Sequence, residues 1–357
     1  MSAFKANCRA TAIGSFPHED PEKAVELILK FLPDIPVWPQ LPKYVNEGML
    51  RQYNGGIPGF VEKEGRTYID ATGDDFQGNI ISFFESFMRI TENDSLEELE
   101  NFALDTEHAR GITDFIVALK NKKPGPSVLK GHVTGPFTLT TSLFDENKNL
   151  IFYNELLRDL ISRALALKAK WQINLFSQFN TPVVIFIDEP GLLSYGSSQF
   201  LGISEDDVKN MLKEVIGIIK KSKGIAGIHC CENTDWAMVM DTGIDILSFD
   251  AYSFFDKLII YEDDIKKFML KGNILAWGIV PSQKEELEKA DMNTIISRLF
   301  HQFKKLSDIG IDDDILFSQS LITPSCGLGS LTPELAEKAL KMTRDVSLFF
   351  RKEFKIK

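Results

Sequence analysis

Apolar residues in this chain gather in short, nearly continuous runs, separated by longer stretches in which they recur every three or four positions. The short runs are ATAIGSF ending near Phe16, PVWPQLP at 36–42, VLKGHVTGPF at 128–137, PVVIFIDEP at 182–190, GIAGIHC at 224–230, DILSFDAYS at 245–253, ILAWGIVPS at 274–282 and ILFSQSLITPSCGL at 315–328. Runs of this kind predict strands buried on both faces, as in a parallel sheet covered by helices. The periodic stretches predict those helices. They lie from Pro21 to Phe31, along a stripe of Phe102, Ile112, Phe115, Ile116 and Leu119, from Tyr153 to Phe179, and over 286–307 and 332–353. Between Tyr44 and Ser95 the period loosens. QYNGGIPGF and TYIDATGDD carry turn chemistry there, which predicts a long loop or hairpin layered over one end of the fold, where it would cover a substrate.

Strand and helix patterns alternate from end to end with no linker, so residues 1–357 are expected to form one (β/α)8 barrel domain with an insertion after the second strand. An open doubly wound sheet is the structural alternative. It is disfavoured because IGSFP, after the first strand, lacks the glycine spacing of a dinucleotide-binding turn.

Charge narrows the partners. With 51 acidic against 40 basic residues the formal net charge is −11, a field that repels nucleic acid and anionic lipid surfaces. No apolar run approaches the ~18 residues of a membrane span, and MSAFKANCRATAIG has no signal-peptide core, so a cytoplasmic protein is expected. Four cysteines, two of them adjacent, do not make a disulfide framework and read better as metal ligands; Cys8 takes no role.

Ser15, Gln40, Asp188, Glu189, His229, Cys231, Asp250, Ser282 and Cys326 all fall at or just after predicted strand ends. In a barrel those ends converge on one face, where active sites are built. Alternation along the fifth strand turns His229 and Cys231 to one surface and Cys230 to the other. An imidazole and a thiolate side by side are half of a zinc site, and Cys326 after the eighth strand can supply a third ligand, leaving one position open as catalytic zinc requires. Asp250 is a candidate fourth ligand. A site of two thiolates and an imidazole suits the activation of an incoming thiol.

TAIGSFP at 11–17, KGHVTGPFT at 130–138, IDEP at 187–190, HCC at 229–231, LSFD at 247–250 and PSCGL at 324–328, in this order, resemble the catalytic C-terminal barrel of cobalamin-independent methionine synthase and its short single-barrel relatives. The resemblance implies Zn2+ on His229, Cys231 and Cys326, with Asp250 standing where the family has a glutamate ligand. It implies homocysteine as substrate, its amino group held by Asp188 and its carboxylate met by the backbone of Ile13, Gly14 and Ser15, with Gln40 nearby. No catalytic residue beyond the zinc site is implied. Two departures bear on the methyl donor. The family's folate-stacking tryptophan falls near Ser142 here, and its catalytic histidine, expected just after Gly278, is missing from AWGIVPSQ. A methyl leaving folate nitrogen needs a general acid, whereas one leaving a methylcobamide does not. The donor expected is therefore a methylcobamide on a corrinoid protein; a replacement acid would come from His18 or His132, the histidines closest to strand ends. Coenzyme M as an alternative acceptor, a metal-free decarboxylase-like lyase, and a non-catalytic barrel that binds homocysteine or a corrinoid protein are the competing readings.

Overall fold

The computed structural model describes residues 4–355 apart from 64, 198, 199 and 201. Its principal sheet has seven parallel strands, in the spatial order Arg9–Ala10, Ser320–Pro324, Ile274–Val280, Ile246–Phe249, Ile225–Cys230, Val183–Asp188 and Leu129–Thr134. The sheet curls so that alternate residues enter separate cores. Val184, Phe186, Ile246, Ile274, Ala276 and Leu321 belong to a small cluster with Ile13 and Val128, whereas Ile185, Ile187, Leu247, Leu275 and Trp277 belong to the large one shared with the helices. Period-two alternation between two apolar environments is what the nearly continuous apolar runs encode.

The expected closed eight-stranded barrel is realised only in part, because the sheet is an open half-barrel as a hydrogen-bonded ladder. Segment 36–40 lies between the stretch that follows the first strand and Leu129–Thr134, joined to Ser15 through Gln40 and to Lys130 through Val37, each by one isolated parallel bridge. Pro36, Pro39 and Pro42 have no N–H to donate, so this segment cannot sustain a ladder.

Helices at Pro21–Phe31, Arg110–Asn121, Glu155–Phe176, Glu205–Lys221, Met292–Asp308 and Pro333–Glu353 pack their apolar faces into the large core. Glu205–Lys221 shows how sequence sets such a helix. Ser204 and Asp207 form a reciprocal capping box, acids fill the first turn and Lys220 and Lys221 the last. No helix among the described residues is long and apolar enough to cross a membrane.

Two segments differ from expectation. Residues 44–95 do contain a hairpin, Phe60–Lys63 with Arg66–Ile69, which pairs with Phe144–Asp145 in a separate three-stranded sheet. They also contain a helix, Phe76–Glu92, whose buried Phe76, Ile80, Phe83, Phe87 and Ile90 mark one face at helical spacing. The predicted eighth strand begins too early, since Asp313–Ser318 is helical and only Ser320–Pro324 is strand. Three consecutive aspartates at 312–314 favour a helix start through the dipole, and a short apolar run such as ILF does not by itself separate helix from strand.

The strand ends are tied to one another by Glu189. Its fully buried carboxylate accepts hydrogen bonds from Phe137 N (2.9 Å), Thr138 N (2.8 Å) and Thr138 Oγ1 (2.6 Å), capping the short helix Pro136–Thr140 that follows the neighbouring strand. Gly135 lies against this carboxyl group, and a Cβ there would stand 2.0 Å from Glu189 Cδ. Gly135→Ala should therefore lower stability by about 1–3 kcal/mol, the usual range for overpacking. A chemical-denaturation midpoint equal to that of the wild type would contradict this reading of the contact.

Candidate metal centre

His229 is the penultimate residue of its strand, in register with Asp188 on one side and Ser248 on the other. Its Nδ1 lies 3.0 Å from Ser248 Oγ, and its Nε2 is buried with no hydrogen-bond partner. Cys231 follows directly after the strand end. Cys326 lies just beyond Ser320–Pro324, in a loop pinned at three points. Ser325 N donates to Val280 O (2.8 Å), Ser282 N donates to Ser325 Oγ (3.1 Å), and Leu328 N donates to Ser15 O (2.9 Å). Gly327 lies close against Ser15, whose Oγ would be 2.1 Å from a Cβ there and would have to turn away. With those ties in place, the ligand atoms of His229, Cys231 and Cys326 all lie within 4.8 Å of one another.

Electrostatics at this cluster favour a bound cation. The Cys231 thiol is pulled down to about 4, chiefly by a hydrogen bond from Cys326, with burial opposing and His229 reinforcing. The same bond, together with burial, drives Cys326 well above the ordinary thiol range. One sulfur is thus a thiolate and the other keeps the proton, because two negative charges so close and so poorly solvated repel. A zinc ion meets all three demands at once, taking both sulfurs as thiolates and the orphaned Nε2 of an imidazole whose other nitrogen is already oriented. The donor set of one imidazole and two thiolates is among those zinc prefers. Cys230 faces the other way, with its Sγ donating to Glu232 O (3.4 Å) and burial pushing its thiol up to about 12. Asp250 is not among the converging side chains. Its carboxylate accepts from Ser253 N (2.7 Å) in the turn after its strand, and burial raises its acid to about 6.

His229, Cys231 and Cys326 line a cavity of about 300 Å3 together with Ile13, Ser15, Gln40 and Asp188. Of these, Asp188 has its Oδ1 buried without a hydrogen-bond partner. Burial raises this acid to about 6, opposed first by His229 and then by Lys130, and Cys231 adds to the rise. Gln40 spends its amide N–H groups on Glu47 O (2.9 Å) and Gln52 Oε1 (2.7 Å), so it shapes the wall. Gly14 is in contact with His132, where a Cβ would meet the ring at 2.6 Å.

Sequence reasoning did not single out Lys130 or Tyr53. Lys130 is fully buried and donates from Nζ to Ile13 O, with its ammonium 4.0 Å from the centre of the Phe186 ring. Burial pushes it down to about 7, with Asp188 opposing. A lysine inside a continuous apolar run was the available signal. Tyr53 comes from the loosely patterned stretch and places its hydroxyl 2.9 Å from His132 Nδ1 and 2.8 Å from His132 O, while Thr134 Oγ1 holds Met49 O (2.9 Å). From residues 44–95, Glu47, Met49 and Tyr53 line the cavity, whereas the hairpin strands Phe60–Lys63 and Arg66–Ile69 do not. Compared with models of protein families and with curated proteins, the chain matches none.

Substitution separates ligands from neighbours. Cys326→Ser should lose most bound zinc, because a serine hydroxyl stays protonated where a thiolate bonds strongly, whereas Cys230→Ser and Asp250→Ala should keep close to one zinc per chain. Metal analysis that finds stoichiometric zinc in the Cys326 variant, or equal loss in the Cys230 variant, would refute the ligand set.

Proposed function

We propose that this protein is a zinc-dependent thiol S-methyltransferase that makes methionine from homocysteine, taking the methyl group from a methylcobamide carried by a corrinoid protein. The observation that carries this reading is the convergence of His229, Cys231 and Cys326 on the wall of a cavity sized for a small amino acid. Zinc so bound would lower the pKa of a thiol entering its open position and hold it as a thiolate nucleophile.

The remaining roles belong to the chain. The carboxylate of Asp188, on the cavity wall, takes the acceptor's ammonium, which favours an amino acid over an acceptor without an amino group, such as coenzyme M. Ile13 and Ser15 line the cavity on either side of Gly14, and the carboxylate is expected on the backbone of this turn. For the scaffold we adopt the (β/α)8 reading, with irregular segment 36–42 as the second stave; the bridges at Val37 and Gln40 support it.

The choice of donor rests on proton supply. Among the described residues lining the cavity, the histidines are His132 and His229. His229 is committed to the metal group. His132 is stacked on Trp38 with ring centroids 4.3 Å apart, bound by Tyr53, and lowered to about 3, first by burial and then by Lys130. A neutral imidazole of that kind has no proton to give a departing folate nitrogen at pH 7. His18 lies outside the cavity lining, in the loop before Pro21–Phe31. A methylcobamide leaves as Co(I) and needs no proton.

The test is to incubate zinc-loaded protein and homocysteine with methylcobalamin or with methyl-folate and to follow methionine. With homocysteine saturating, methylcobalamin should support turnover at a rate nearly flat across neutral pH, whereas methyl-folate should support no turnover. Turnover with methyl-folate as fast as with methylcobalamin would overturn the corrinoid reading, and turnover with neither would overturn the transferase.

A further inference from the structure

Lys130 is a buried charged group that the proposed chemistry leaves unused. It stands on an interior position of its strand, completely shielded from solvent, and does not line the cavity. An ammonium so placed is costly unless something holds its charge. Its hydrogen-bond acceptor is Ile13 O, on the first residue of the turn that forms the cavity wall. Phe186 offers its ring face at 4.0 Å.

That single hydrogen bond fixes more than a carbonyl. A peptide unit is planar, and its C=O and N–H point in opposite directions, so anchoring Ile13 O also sets the direction of Gly14 N–H. Among the described residues, none accepts a hydrogen bond from the N–H of Gly14 or of Ser15, although Gly14 is buried and Ser15 half-buried. Both flanking carbonyls are tied, Gly14 O by Gln40 N (2.9 Å) and Ser15 O by Leu328 N (2.9 Å). The turn is thus held by its carbonyls on three sides and leaves two N–H groups unspent. When protonated, Lys130 adds a field behind the turn that favours an anion on it, and an anion seated there favours the protonated lysine in return.

We propose that Lys130 is a positioning residue, which through Ile13 O holds the Ile13–Gly14–Ser15 turn as a seat for the carboxylate of an amino acid thiol and supplies the charge behind it. The proposal rests on the acceptor assigned above. Asp188 and Lys130 then divide a zwitterion, the first taking its ammonium and the second acting on its carboxylate through the backbone.

The decisive comparison uses two thiols that differ only in the carboxylate, homocysteine and 3-aminopropane-1-thiol, titrated calorimetrically into zinc-loaded wild type and Lys130→Met. Methionine fills the lysine's volume without its charge or donor. Lys130→Met should weaken homocysteine binding by about tenfold or more, the scale of one charge-assisted contact, while binding of the aminothiol and zinc content stay unchanged. Equal weakening of both thiols would make Lys130 a general structural residue, and no weakening of either would make it irrelevant; both results overturn the proposal. Should Lys130→Met not fold, wild-type protein labelled at lysine 13Cε gives a second reading. The Lys130 resonance should move with homocysteine and stay in place with the aminothiol, and an identical response to both overturns the assignment. If the wild type binds neither thiol, the acceptor reading itself fails and the seat fails with it.

Discussion

Two cysteine sulfurs and an imidazole nitrogen lie within 4.8 Å of one another in a poorly solvated corner of the fold, and the second sulfur cannot ionise beside the first unless a cation stands between them. Much of the surrounding architecture serves to hold that arrangement in place. Cys326 reaches its partners because Ser325 and Ser282 fasten its loop to the adjacent strand end and Ser15 fastens the loop's far side. His229 is turned by Ser248, and the next strand end is locked by Glu189, whose backbone N–H donates to His229 O at 2.8 Å. Hydroxyls and backbone amides at five strand ends therefore set the position of three ligand atoms, which is the support a preorganised metal site needs.

The same constraint links fold to proposed chemistry. Parallel strands all end on one face, so residues about a hundred positions apart in sequence meet there. The cavity beside them offers complementary features to a zwitterionic thiol, with a buried carboxylate oxygen at Asp188 and a backbone turn backed by the Lys130 ammonium. Methyl transfer to sulfur asks little more of the protein than a thiolate, an orientation and the exclusion of water.

Much of this was legible in the sequence, for identifiable reasons. The strands were readable because burial on both faces leaves apolar runs such as VVIFI and ILAWGIV, and the separation of Cys231 from Cys230 follows from strand alternation alone. What escaped was tertiary. The helix Phe76–Glu92 was masked by the turn-rich segments before it, and the prolines of segment 36–42 marked it as irregular without telling that the sheet would stay open there as a ladder. Asp250 looked like a ligand by its place at a strand end, yet its carboxylate turns to Ser253 N. Lys130 could not be placed, because nothing in one sequence says which carbonyl a buried lysine will find. Tyr53 lies in a stretch without period, and only the folded chain brings its hydroxyl to His132.

The central claim is a zinc ion on one nitrogen and two sulfurs with a position that admits the acceptor's thiol, and X-ray absorption at the zinc edge reads it directly. The resting protein should show two sulfur scatterers at about 2.3 Å together with nitrogen or oxygen neighbours, and homocysteine should raise the sulfur count to three. A resting shell with fewer than two sulfurs, or a count that homocysteine leaves unchanged, would contradict the account.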